Sequence, residues 1–175
     1  MNQHSLKSPR TLLRGVAIAF LASCMVSVTA VEVGDLAPSF SLQTTDSTFT
    51  STQLAGKLSY IDFWASWCVP CKLSFPWMNE MQHKYRERGF QVVAVNVDKK
   101  RADADKFLAR YPAAFAVAFD AAGDTPKKFA VPGMPTAYLV DPNGHVVYVH
   151  SGFREGDPQK IEAAIIAALE AMKKK

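Results

Sequence analysis

Beyond residue 30, near-continuous apolar runs alternate with stretches whose apolar positions recur every three or four residues. Leu58–Trp64 and residues 90–97 are the two strongest runs, as expected of central strands covered on both faces. Asp62 is the one charged residue in the first of them. Leu73, Trp77, Met78 and Met81 follow at helical spacing and predict a helix from about Lys72 to Arg88, with Gly89 as its stop. Pro76 falls inside that helix and should kink it or remove one backbone bond. Alternation around Phe40 and Leu42, with a partner strand at Phe49, predicts an N-terminal β-hairpin. Residues 101–110 read as a helix with Phe107 and Leu108 inward, 114–119 as a short strand and 124–129 as a brief helix. Residues 136–141 and 145–150 read as two strands joined by Pro142-Asn143-Gly144, since Asn-Gly is a hairpin signal. Residues 158–172 form an Ala- and Ile-rich closing helix. This order predicts an α/β fold, a central mixed β-sheet flanked by helices that supply the crossovers between parallel strands.

The chain has 175 residues and a formal charge of +4. Lys7, Arg10 and Arg14 account for most of that excess and lie in a leader without acids, so the body is near neutral. That balance gives no support for nucleic-acid binding. Residues 1–30 read as an export signal, with an apolar stretch Gly15-Val16-Ala17-Ile18-Ala19-Phe20-Leu21-Ala22 after the positive segment. Three outcomes stay open: cleavage after Val28-Thr29-Ala30, lipidation at Cys24 in the lipobox-like Leu21-Ala22-Ser23-Cys24, or an uncleaved anchor. Each places the folded body, residues 33–175, outside the cytoplasm, and membrane contact would come only through that anchor or lipid.

Trp67-Cys68-Val69-Pro70-Cys71 sits between the first buried strand and the first helix. A two-residue gap lets both sulfurs meet across one helical turn, and a helix N-terminus stabilises a thiolate at the first. Cys68 is therefore the expected nucleophile and Cys71, one turn deeper, the resolving thiol of a redox pair. A zinc half-site needs two more ligands, and His4, His83, His145 and His150 form no pair at ligand spacing; an inert disulfide is the other rival. Asp62, in an apolar strand six residues before Cys68, should have its pKa raised by desolvation and could exchange a proton with Cys71. The bland alternative is a strand-end Asp satisfied by backbone donors.

The ordered pieces Ala37-Pro38-Ser39-Phe40, Asp62 to Cys71, Pro76, Val95-Asn96-Val97-Asp98, Gly133-Met134-Pro135-Thr136 and Asp141-Pro142-Asn143-Gly144 cover nearly all of residues 33–172. Through them the chain resembles the thioredoxin superfamily, specifically the exported TlpA/ResA/CcmG-like thiol–disulfide oxidoreductases. The resemblance implies a thioredoxin-like fold with an extra helix and strand at 99–119. It implies that Pro135 is a cis-proline beside a Cys68–Cys71 redox disulfide, that Met134 and Thr136 help form a docking edge for an extended client, and that Trp67 shields the sulfurs. Asp62 would be the family's buried acid and Pro76 its helix-kink proline. Val69 stands where ResA-like members carry an acid, so the Trp-Cys-Val-Pro-Cys motif is closer to TlpA and weakens a cytochrome-specific role.

The resemblance implies a protein-disulfide reductase of the bacterial periplasm, acting in cytochrome c maturation or metalloprotein assembly. It would be re-reduced by a membrane thiol carrier of the DsbD/CcdA kind, with no cofactor and no metal. Two other classes compete with it. A thiol peroxidase shares Ala-Pro-x-Phe but needs a Thr and Arg that Val69-Pro70 does not supply, and a copper-handling module needs a third soft ligand. Asp98 to Asp105 reads as a solvated charged face, and His145 and His150 as surface residues of an edge hairpin.

Overall fold

The structure, a computed structural model, describes Met1 and residues 30–174. Residues 2–29 of the export signal, Cys24 among them, thus lie outside the described residues. Seven strands form one mixed sheet in the order β2-β1-β5-β4-β3-β6-β7. These are β1 Ser41–Gln43, β2 Thr48–Thr50, β3 Leu58–Trp64, β4 Phe90–Asn96, β5 Ala116–Phe119, β6 Thr136–Val140 and β7 Val146–Ser151. The helices are α1 Cys71–Tyr85, α2 Arg101–Arg110, α3 Asp124–Lys128 and α4 Asp157–Lys173. β3 lies at the centre, parallel to β4 and antiparallel to β6, and every residue of it is buried. That burial on both faces is why its sequence is apolar without alternation.

The two faces of the sheet carry separate cores. Tyr60 and Trp64 of β3, Val92 and Ala94 of β4, and Ala137 and Leu139 of β6 pack under α1 and α4 through Phe75, Met78, Met81, Ile161, Ile165 and Leu169. Ile61, Phe63, Val93, Val95 and Val140 point the other way, against Phe40, Phe49, Leu54 and Phe129. The α2–β5 segment is fastened by Phe107, whose ring centroid lies 4.7 Å from Trp64 and 4.9 Å from Phe75. Each such aromatic pair adds about 0.5–1.5 kcal/mol beyond the area it buries.

Local details differ from the sequence reading in instructive ways. α1 ends at Tyr85 and tightens into a 3₁₀ turn, Arg86–Arg88, before Gly89 in the left-handed conformation at φ 82°. The helix runs through Pro76, which is exposed, so the missing N–H costs one bond to the Lys72 carbonyl and no buried group. The β6–β7 connection is longer than a two-residue Asn-Gly turn. The Gly144 N–H bonds the Asp141 carbonyl at 3.0 Å, only Gly144 has positive φ, and the ladder shifts between Leu139 and Val140. Asp141 organises this loop by accepting bonds from the Asn143 and His145 N–H groups, both at 2.9 Å. β5 begins at Ala116, two residues later than the apolar pattern suggests.

Candidate functional site: the disulfide at the start of helix α1

The C-terminal ends of the parallel strands β3 and β4 place the site. β3 stops at Trp64, and Ala65-Ser66-Trp67 carries the chain over the sheet edge to Cys68. The loop is held from below by Asp98. Its Oδ2 accepts bonds from the Ser66 N–H at 2.9 Å and from Asn96 Nδ2 at 2.8 Å, and its Oδ1 accepts one from Ser66 Oγ at 2.9 Å. The Cys68 N–H closes a turn onto the Ala65 carbonyl at 3.1 Å. Asp98 is buried, which corrects the expectation of a solvated charge; the segment becomes exposed only from Lys99 onward. Replacing Asp98 with Ala leaves the Ser66 and Asn96 donors without an acceptor. The variant should lose about 1–3 kcal/mol of stability in a urea titration.

Cys68 and Cys71 form a disulfide, with an S–S distance of 2.01 Å and Cα atoms 5.4 Å apart. Cys68 lies three residues ahead of the first helical residue, Cys71, and Pro70 occupies the N-cap position at φ −65°. Proline fits there because its fixed φ is near-helical and no N–H is required. Cys68 is 3% exposed and Cys71 is fully buried, the order expected of an attacking and a resolving sulfur. Trp67 and Val69, on either side of Cys68, are 68% and 67% exposed, and Leu73 on the first turn of α1 is 62% exposed. Large exposed apolar groups thus flank Cys68 in the chain.

Asp62 lies on the same face of β3 as Tyr60 and Trp64, the face whose core contains Cys71. Its carboxyl is 1% exposed, and Oδ2 has no hydrogen-bond partner among the described residues. The bland reading of a backbone-satisfied strand-end Asp does not describe this atom. Burial alone pushes the Asp62 pKa well above the usual carboxylate range. Tyr60, two residues away, is raised well above its ordinary value, first by burial and then by the charges of Asp62, Tyr148 and Asp157.

The Met134–Pro135 peptide is cis. The Pro135 carbonyl accepts the Gly152 N–H at 2.8 Å. Thr136 is buried, with its hydroxyl donating to the Gly133 carbonyl at 2.8 Å and lying 3.2 Å from Ser151 Oγ. Among the described residues, the Met134 backbone groups enter no loop or turn bond. Thr136 thus braces the turn that carries the cis-proline. His150 departs from expectation as well. Its side chain is only 15% exposed and Nε2 lies 3.3 Å from Asp157 Oδ2, so it is an internal pair rather than a surface group. The register Asp62↔Ala137↔His150 put it on the inner face, a pairing no local sequence signal reveals.

Residues 32–165 match the Redoxin family. The chain belongs to the redoxin family. Among its relatives, the thiol-disulfide oxidoreductase ResA of Oceanobacillus iheyensis is 32% identical over 146 residues, 81% of this chain and 76% of the relative. A crystallised Chlorobium tepidum protein, assigned as thiol:disulfide interchange protein DsbE, is 52% identical with a TM-score of 0.79, covering 80% of this chain and 99% of its own. The DsbF of MTB, solved in mixed oxidised and reduced forms, is 26% identical at a TM-score of 0.66, covering 74% and 94%. With its Cys68–Cys71 pair, this redoxin is a thiol–disulfide oxidoreductase of the ResA/DsbE type with a thioredoxin-like fold.

Proposed function

We propose that this oxidoreductase works outside the cytoplasm as a reductant of protein disulfides. Its reduced form attacks a client disulfide through the Cys68 thiolate. One client sulfur leaves as a thiol, and a Cys68–client mixed disulfide forms. Cys71 then loses its proton and attacks Cys68 Sγ, releasing the second client thiol and closing the Cys68–Cys71 disulfide. Asp62 takes the Cys71 proton in this second step and returns it on re-reduction. The observation that carries the reading is the pairing of a disulfide at the start of α1 with an unpartnered buried carboxyl on the same face of the sheet.

The leader pattern of residues 1–30 supports the location, and a location beyond the cytosol requires electrons from across the membrane. A membrane thiol carrier of the DsbD/CcdA kind fits that need. Clients are exported proteins whose cysteines must be reduced before they bind metal or haem, as in metalloprotein assembly or cytochrome c maturation. Val69 between the cysteines, in place of an acid, favours the broader client class. The reading is tested by reduction of insulin with dithiothreitol as electron source. Catalysis should be clear with wild type and absent with Cys68→Ser; equal rates for the two proteins would refute it.

A further inference from the structure

A recess of about 270 Å³ lies between helix α2 and the residues Ser66 and Lys72 that bracket the cysteine pair in the chain. Ser66 and Lys72 line its near wall, and Asp103, Lys106, Phe107, Arg110 and Tyr111 its far wall. Lys106 is 3.9 Å from Asp103 and partly offsets it. Among the described residues, neither Lys72 nor Arg110 has a carboxylate within 4.0 Å. The recess therefore holds two uncompensated cations.

Their positions are not explained equally by the helices that carry them. Arg110 ends α2, where a cation meets the negative end of the helix dipole. Lys72 is the second residue of α1, and no acid stands in that first turn. A cation at a helix N-terminus is unfavourable by the same rule, so Lys72 lowers the stability of α1. It stands immediately after Cys71 and beside the exposed apolar groups of Trp67, Val69 and Leu73. The exposed apolar residues and two residues of the basic recess, Ser66 and Lys72, thus come from the same stretch of chain, 66–73, that carries the disulfide.

We propose that this recess is a specificity site that receives an acidic side chain of the client polypeptide, close to the client's reacting cysteine. The apolar rim holds the strand that carries the disulfide, and Lys72, Lys106 and Arg110 draw the carboxylate toward α2. The proposal rests on the reductase reading and adds a substrate preference to it. Charge pairs at a rim act mainly on encounter and on choice of partner, and they weaken with salt.

The test uses three short cyclic disulfide peptides that differ only in the residues flanking the cysteines: Glu, Gln or Lys. Wild-type kcat/KM should be at least about fivefold higher for the Glu than for the Lys peptide at low salt. Arg110→Glu should bring that ratio to one or below, and Lys106→Glu should lower it independently. Raising ionic strength from about 0.02 to 0.5 M should erase most of the wild-type preference. The peptides are compared on the same variant, so a change in the reactivity of Cys68 itself cancels from the ratio. Wild type that reduces all three peptides equally, or Arg110→Glu with an unchanged ratio, would overturn the recess while leaving the reductase intact. A loss in Arg110→Glu as large for oxidised glutathione as for the Glu peptide would assign the recess to a free small carboxylate, against the proposal. Wild type that reduces none of the peptides would remove both.

Discussion

Cys71→Ser should hold a client in a stable mixed disulfide through Cys68, whereas Cys68→Ser should hold little. The asymmetry follows from the site. Cys68 keeps 3% exposure between the exposed Trp67 and Val69, while Cys71 is fully buried at the start of α1. A client sulfur can therefore reach Cys68 but not Cys71. Once Cys68 has reacted, only Cys71 is close enough to resolve the intermediate, and a serine there stops the sequence halfway. Non-reducing gels with alkylated free thiols should show trapped species at least about tenfold more abundant in Cys71→Ser than in Cys68→Ser, given the dependence of exchange on access. Equal trapping by the two variants would reverse or abolish the roles assigned here.

Asp62→Asn should slow disulfide exchange by about 100-fold near neutral pH, the low end of what a positioned acid–base group contributes. The buried carboxyl has its pKa raised by desolvation, so it can carry a proton at pH values where an exposed aspartate could not. An asparagine side chain can neither take nor return that proton. The same change should alter stability with a definite sign. An aspartate whose folded pKa lies above its unfolded value binds more protons when folded. It costs nothing below the unfolded pKa, and it lowers stability as pH rises from there through the folded pKa. The amide that replaces it does not titrate. The variant should therefore gain on wild type between pH 3 and pH 8, by more than about 1 kcal/mol given the cost of an unpaired buried charge. Urea titrations of the reduced proteins at the two pH values measure this directly. A stability difference that does not move with pH, together with an unchanged rate, would take Asp62 out of the mechanism.

The pattern of apolar residues was enough to locate the main elements because the central strands β3 and β4 are buried on both faces and α1, α2 and α4 each carry spaced buried positions. The cysteine pair and Asp62 were legible for the opposite reason: they are the residues that break those patterns. Features set by contact between distant segments were not legible. Asp98 reads as the first of several charges, yet the parallel pairing of β3 and β4 brings Ser66 onto its carboxylate. His150 reads as an edge-strand histidine, yet the Gly156–Asp157 turn folds the start of α4 back onto it. Lys72 and Arg110 stand 38 positions apart in the chain and share one recess only after α2 docks through Phe107. The loop between β6 and β7 shows a smaller version of the same limit. Asn143-Gly144 signals a turn correctly, but the Asp141 carboxylate decides its length and form.

The reduction potential of the Cys68–Cys71 pair, measured against a glutathione or dithiothreitol buffer, tests the central claim most directly. A value between about −200 and −270 mV, or lower, is expected of a protein that donates electrons to client disulfides. A value near −120 mV would mean a protein that inserts disulfides, contradicting the proposed direction of electron flow.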